Sequence, residues 1–457
     1  PSMSKITTSL LPEVEEKKTS MGFCSLLLAN GAVGAGILTL SLAVSKIGWG
    51  FGMLMYVFFS VFAGLTNGML YLVQRYTRQT TYSGIVRDMY GKGMEIFVDI
   101  VQLLYSFGAC VGYAIIIADE LHLCLSQLLQ MRVTSDFYFL FSREFVLIVV
   151  TLFIILPIAL QKKITALRYT SFFAIVGILY ITIVMVAQAL RIQPCELANT
   201  AKYVCESSTC VIEPNDLSAT CPNLASCVKT CQGGVWDTMK SQLHAFIFSR
   251  NIFLAMPVFC YGHCSQVQFI PILSDMKKPT KTRVSVMIFL AYILIFTLYT
   301  INSLAGYMSY CGYTTGNILN SYSSSDPAVL VGRLFIAIAL CFTFPLYGYN
   351  VREVVMKMIG VDPETTPYWK HATITAAYVF FSSFTALFLK SLYSVVAITG
   401  SLGGSLIEAI IPAMLYLKYL KEIGDVDRVL KSVYAWTIIA IGAVIAILGT
   451  YESIASF

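Results

Sequence analysis

The chain has 457 residues, 57% of them hydrophobic and 12% charged, with a formal net charge of +6. A soluble protein carries about 25% charged residues, so too few are present to clothe a water-exposed surface, and a water-soluble globule is excluded. The modest positive charge is scattered over short loops without a basic patch interleaved with aromatics, which excludes a nucleic-acid surface.

A mean hydropathy of +0.73 agrees with a polytopic membrane protein. Residues 1–20 form a polar tail of mixed charge, and the first apolar run after it has no small-residue cleavage site, so it reads as a span and not as a signal peptide. About eleven spans of bilayer length follow, near 22–45, 50–74, 94–118, 144–160, 170–190, 243–271, 284–309, 328–350, 372–390, 392–417 and 432–450. Placing the N-terminus in the cytoplasm puts 21 of the 31 basic residues on the inside, so the expected topology is N-terminus in and C-terminus out.

The segment 191–242 then falls on the outer or lumenal side. It holds six of the thirteen cysteines, Cys195, Cys205, Cys210, Cys221, Cys227 and Cys231. No C-x-x-C pair occurs among them, which argues against zinc, and an oxidising compartment makes them disulfide candidates with the pairing left open.

Two spans break helix rules. The first contains Asn30-Gly31-Ala32-Val33-Gly34-Ala35-Gly36, three glycines at mid-bilayer depth, each costing a helix about 1 kcal/mol relative to alanine. Close helix packing through small residues explains such glycines, and so does an unwound segment facing a polar cavity. The sixth span reads Pro257-Val258-Phe259-Cys260-Tyr261-Gly262-His263, with a proline, a glycine and an ionisable histidine. Interruptions in spans one and six are the arrangement of a 5+5 inverted repeat, each half opening on a discontinuous helix, with the eleventh span outside it. The expected division is 1–20, a tail; 21–190, the first repeat; 191–242, the cysteine-rich loop; 243–418, the second repeat; and 419–457, a linker and the last span. Half-helix N-termini favour an anionic group and unwound carbonyls a cation, which together match a free amino acid. The candidate substrate residues are Asn30, Gly34, Ala35, Gly36, Phe259, Cys260, Tyr261, His263 and Glu408.

At these residues the sequence resembles the amino acid/auxin permease family, and within it the sodium-coupled neutral amino acid transporters. Asn30 to Leu38 is similar to the family's N-x-x-x-G-[SA]-G-I-L signature, and Pro257 to Ile272 with Pro271 and Ser274-Asp275-Met276 to its sixth-helix pattern. Phe342-Thr343-Phe344-Pro345 resembles the eighth-helix T-x-P motif, and Gly400-Ser401 with Pro412 resembles helix ten. The resemblance implies an all-α fold like that of the bacterial leucine transporter, and a sodium ion touched by Asn30 and Thr343. Thr343 could instead bond only its own helix. Proton coupling, through His263, stays open. No cofactor is expected beyond the coupling ion, Na+ or H+.

Glu408 departs from the family's apolar residue in span ten. It could pair with a cationic substrate such as arginine or lysine, bind a proton, or pair with Arg352 or Lys418. Asp99 is expected to meet cytoplasmic water. Tyr105, Tyr113 and Tyr347 are candidates to line the path or simply to pack. Neither H-E-x-x-H nor G-x-S-x-G occurs, so an enzyme is not expected. The expected function is secondary active symport of neutral or cationic amino acids by a monomer in the plasma membrane, or in a lysosomal or vacuolar one. The alternative is an amino-acid-sensing transceptor of the same fold. With about 20 residues before span one and few after span eleven, transport is the leading reading.

Overall fold

The computed structural model describes residues 19–129, 138–161, 168–191, 203–206, 209–212, 243–310, 314–323, 326–361, 366–389, 391–424 and 426–455. Apart from one short hairpin, the described regular structure is helical: α1 Met21–Ala32, α2 Gly36–Ile47, α3 Trp49–Thr77, α4 Tyr82–Tyr90, α5 Lys92–Leu128, α6 Arg143–Val150, α7 Leu156–Ala159, α8 Arg168–Arg191, α9 Asn251–His263, α10 Gln266–Asp275, α11 Lys281–Tyr310, α12 Pro327–Met358, α13 Tyr368–Phe388, α14 Leu392–Thr399, α15 Ile411–Glu422 and α16 Arg428–Ala455. A π turn at Thr151–Ile155 joins α6 to α7, and π turns at Gly400–Gly404 and Leu406–Ile410 join α14 to α15.

Seven described helices are long and apolar enough to cross a bilayer, and α1 with α2 makes an eighth, bent by 61° at its break. Of the eleven expected spans, the fourth, fifth and sixth overlap α6–α7, α8 and the pair α9–α10, none of which is among those eight. The third runs ten residues past its expected end at 118, because Asp119, Glu120 and His122 are carried inside α5. Between the second and third spans lies α4, an amphipathic helix whose first turn is capped by Thr81 accepting from the Gly84 N–H at 3.1 Å.

Antiparallel packing of α5 on α12 is tied by ion pairs at both ends. At one end Arg333 meets Glu120 at 2.7 Å, with the two side chains 1% and 0% exposed. At the other, Lys357 bridges Glu95 at 2.6 Å and Asp99 at 3.0 Å. Asp99 is therefore not open to water as expected. It is buried against α12 and also accepts from Ser83 of α4, a partner 16 residues away that its place in the sequence does not reveal. A smaller apolar cluster, with Phe62, Met69, Ala413, Tyr416, Ala435 and Ile438, joins α3, α15 and α16 away from the main core.

The hairpin pairs β1 Tyr203–Glu206 with β2 Thr209–Ile212, setting Cys205 opposite Cys210 in register. Cys195, Cys221, Cys227 and Cys231 lie outside the described residues. The expected disulfides are not supported. Among the helices, Cys110, Cys124, Cys260, Cys264 and Cys341 are buried thiols outside any disulfide, and Cys24 is buried as well.

Candidate functional site

Each interrupted helix stops where its sequence cannot hold an α turn. In the first, Gly34 N–H folds back on Ala32 O at 3.0 Å and α2 restarts at Gly36. In the second, α9 ends at His263, and Cys264 leaves with an extended backbone at φ −70° and ψ 105° before α10 starts at Gln266. The two broken helices are joined by backbone hydrogen bonds at both ends. Thr19 N–H donates to Asp275 O at 2.9 Å and Lys277 N–H returns to Thr19 O at 2.9 Å. At the far end Trp49 N–H donates to His244 O at 3.0 Å and Ile247 N–H to Ile47 O at 2.8 Å. The start of α1 thus meets the end of α10 and the end of α2 meets the approach to α9, so the two run antiparallel.

The breaks face each other across one hydroxyl. Tyr299 of α11 lies 2.9 Å from Ala32 O and 2.8 Å from Gly262 O, placing its O–H between the last carbonyls of α1 and α9. Neither carbonyl has an α-helical i+4 donor: Ala32 O keeps the tight Gly34 N–H, and Gly262 O depends on the hydroxyl. The backbones also touch: a Cβ on Gly36 would sit 3.3 Å from Gly262 Cα and 3.4 Å from the Tyr261 ring. We predict that Tyr299→Phe, which strips the shared donor without changing ring volume, lowers substrate turnover by about tenfold while the protein stays at the membrane. Ala32 O keeps the Gly34 N–H at 3.0 Å, so the expected size follows from Gly262 O left unsatisfied, at about 1–3 kcal/mol, and uptake by purified, reconstituted variant measures it.

A cavity of about 30 Å³, room for one water or one bare ion, opens beside the first break. Its polar side chains are Asn30 of α1 and Thr343 of α12, with Gly34 beside them and aliphatic residues such as Ile116 and Ile336 on the rest of the wall. Asn30 Oδ1 is buried and has no hydrogen-bond partner. Thr343 Oγ1 donates to Ala339 O at 2.9 Å, so it does bond its own helix while keeping lone pairs for another partner. An unpaired amide oxygen and a hydroxyl oxygen are neutral hard donors, a set that fits a small hard cation and leaves the donor demand of neither group unmet.

A second cavity, of about 10 Å³, opens at the other break and is lined by Tyr105, Cys264, Ser265, Gln268 and Tyr347 among others. Tyr347 donates to Gly31 O at 3.4 Å and accepts from Gln268 Nε2 at 3.3 Å, linking α12, α1 and α10. Tyr113 stands over the first break, where a Cβ on Gly34 would come within 2.6 Å of its hydroxyl. Behind the second break a polar cluster from α3 and α11 holds the unwound backbone. Asn67 donates to Tyr292 at 2.9 Å and Ser265 at 3.3 Å, Tyr292 donates to His263 O at 3.2 Å, and Gln266 reaches Thr66 at 3.0 Å.

The structure gathers Asn30, Gly34 and Thr343 at one cavity and puts Ala35 and Gly36 at the start of α2, with Gly36 against Tyr261. It turns Phe259 and His263 the other way. Phe259 packs on Tyr56 and Phe59, and His263 accounts for both ring nitrogens, Nδ1 at 2.8 Å from Phe259 O and Nε2 at 3.2 Å from Ser60. Cys260 donates from its thiol to Glu408 at 3.1 Å. Neither Arg352 nor Lys418 is placed beside Glu408: Arg352 donates to Ala159 O and Lys418 pairs with Glu422 at 3.9 Å. Tyr299, Gln268, Asn67 and Tyr292 escaped sequence reasoning. A run of hydroxyl and amide side chains inside an apolar span, as in Tyr299-Thr300-Ile301-Asn302, is the signal that marks such positions.

Residues 17–455 match the family described as transmembrane amino acid transporter protein. Sodium-coupled neutral amino acid transporter 7 of Xenopus laevis is 22% identical over 448 residues, covering 95% of this chain and 88% of the relative. The protein of the same name in Danio rerio is 23% identical, over 83% of this chain and 75% of its own. Vacuolar amino acid transporter 2 of Saccharomyces cerevisiae is 23% identical, over 87% and 76%.

Proposed function

Because the chain belongs to the transmembrane amino acid transporter family, whose members named above are membrane transporters and not enzymes, we propose that it is a secondary active transporter that moves free amino acids by alternating access. The observation that carries this reading is the meeting of two antiparallel broken helices at the Tyr299 hydroxyl, beside a cavity that holds an unpaired Asn30 Oδ1. The reading includes eleven spans with the N-terminus in the cytoplasm, built as a 5+5 inverted repeat over 21–190 and 243–418, which the antiparallel pairing of α1–α2 with α9–α10 supports.

In this reading the substrate lies between the breaks. When the breaks part, the first N–H groups of α2 take its carboxylate, and the carbonyl ends of α1 and α9 exchange the Tyr299 hydroxyl for its ammonium. Sodium sits at Asn30 and Thr343, joining α1 of one repeat to α12 of the other, so that ion and substrate bind across the same moving boundary. The substrate is a neutral amino acid, the class named for the Xenopus and Danio relatives, with arginine and lysine the alternative if Glu408 serves as countercharge. The acting unit is a monomer in a plasma or vacuolar membrane.

Uptake of radiolabelled amino acids into proteoliposomes, with sodium and pH gradients imposed separately, tests the proposal. Uptake that follows neither gradient, with substrate binding retained, would replace transport by sensing. If Thr343 ligates sodium, Thr343→Ala raises the sodium concentration needed for half-maximal uptake by about tenfold and leaves apparent substrate affinity nearly unchanged at saturating sodium. An unaltered sodium dependence in that variant removes Thr343 from the ion site.

A further inference from the structure

Glu408 stands in the second of two consecutive π turns, between Leu406 and Ile410, in a helix that crosses the membrane beside α9. It is 0% exposed. Its Oε2 accepts the Cys260 thiol at 3.1 Å, and its Oε1 is buried with no partner. Among the described residues no Lys, Arg or His lies within ion-pairing distance: Lys418 is engaged with Glu422 and lies 4.7 Å over the Tyr90 ring. The titratable groups packed around it are neutral ones. Cys260 and Cys264 come from the second break, Tyr292 from α11, and Tyr82 of α4 donates to the neighbouring Ile407 O at 3.1 Å. Tyr105 of α5 packs on Gly403 one turn away, while α16 offers Gly442.

From this placement we propose that Glu408 is a proton-binding site of the transport cycle, taking a proton from water on one side of the membrane and releasing it to the other. An ionised carboxyl here has no countercharge, so the group is neutral whenever it is enclosed as in this structure, and an ionised state requires a conformation that lets water in. Neither described cavity is lined by Glu408, which leaves a proton room where an ammonium or guanidinium has none. Loading and unloading form and break a single O–H bond. They also change what the Cys260 thiol meets, four residues before α9 gives way at Cys264. Consecutive π turns supply the movable element. Each holds an extra residue in its turn, and such turns mark helices that shift register at functional sites. Gly400, Gly403 and Gly404 let that segment lie against Pro257, Tyr105 and Cys260 with no side chain between.

The inference rests on the transporter reading, and one set of proteoliposome measurements separates the two. The probe is whichever radiolabelled amino acid the wild type takes up best from a panel, with a pH-sensitive dye inside the vesicles. Expected for the wild type is substrate-dependent acidification of the lumen and accumulation driven by a pH gradient, acidic outside. Glu408→Gln is expected to lose that accumulation by about tenfold or more while still exchanging labelled for unlabelled substrate at equal pH. Persistent acidification by Glu408→Gln overturns the proposal, as does loss of exchange together with accumulation, or a defect confined to arginine and lysine. A wild type driven by sodium alone overturns the proton site and leaves the transporter standing; a wild type with no uptake and no exchange overturns both. Cys260→Ala and Cys260→Ser provide a second arm that leaves the carboxyl in place. A thiol donated to a carboxylate favours the ionised form, so Cys260→Ala should move the pH of half-maximal uptake upward by roughly half a unit or more, and serine, still a donor, should hold it. An unchanged midpoint in Cys260→Ala counts against Glu408.

Discussion

Gly36→Leu should abolish uptake while leaving the protein folded in the membrane. The reason is what its side chain meets. A Cβ at Gly36 lies 3.3 Å from Gly262 Cα, a backbone atom of the opposite broken helix that cannot rotate away, and 3.4 Å from Tyr261. Leucine then adds atoms beyond that Cβ, so α2 and α9 must separate beside the place where Tyr299 spans the carbonyl ends of α1 and α9 at 2.9 and 2.8 Å. Overpacking of this kind costs about 1–3 kcal/mol in a rigid core. Here the strain is relieved by parting the two breaks, so the site dissolves before the fold does. The effect should grade with size, Gly36→Ala retaining part of the activity. Gly68 of α3, where an added Cβ meets nothing within 4 Å, gives the matched control, and Gly68→Ala should transport normally. Uptake by reconstituted Gly36→Leu equal to wild type would falsify the facing-breaks geometry.

Both partners in that contact are legible in the sequence, although the contact itself is not. Glycine and proline act on their own neighbours in the chain, so Gly34-Ala35-Gly36 marks its own break, whereas Pro257 to His263 stays helical and the second break falls just beyond it, at Cys264-Ser265. Thr343 is different: it stands out only through the resemblance of Thr343-Phe344-Pro345 to the family's motif, since α12 runs unbroken through Pro345, and it lines one cavity with Asn30 from 313 positions away. What stays hidden depends on partners distant in sequence. Nothing near Tyr299 says that its hydroxyl ends between Ala32 and Gly262. Asp99 reads as an interfacial carboxylate because its partners, Ser83 and Lys357, lie on other helices. Glu120 reads as the end of a span because a charge is expected to stop one. A helix can carry a buried charge onward when an opposite charge is delivered to it, and Arg333 makes that delivery from α12.

That pair carries the second large effect: Arg333→Ala should destabilise the folded protein by about 3–5 kcal/mol, the cost of leaving one buried ion without the other. Arg333 donates to Glu120 Oε2 at 2.7 Å, to Leu319 O at 2.6 Å and to Tyr322 O at 3.1 Å, and Asn317 Nδ2 donates to Glu120 Oε1 at 2.7 Å. The guanidinium therefore does two jobs at once, neutralising α5 and capping the carbonyls of the 3₁₀ turn Ile318–Ser321. That turn seats Ile318 near Gly306 and Gly316 on Tyr393, over the far half of the first broken helix. Losing Arg333 leaves Glu120 enclosed without a countercharge, so that it is either ionised at high cost or forced to take a proton, and lets the turn lift from α2. Losing both charges together is different in kind: a Glu120→Gln, Arg333→Met double variant buries no ion, and it should recover most of the stability because apolar or neutral replacements of a buried pair are often tolerated. The turn would still lack its donor, so the double variant should fold yet hold α2 less firmly, with slower or leakier uptake than the wild type. Thermal unfolding of the purified single and double variants, followed in the same detergent, reads the difference directly. A single variant as stable as wild type would mean that water reaches Glu120 and that the pair is not enclosed at all.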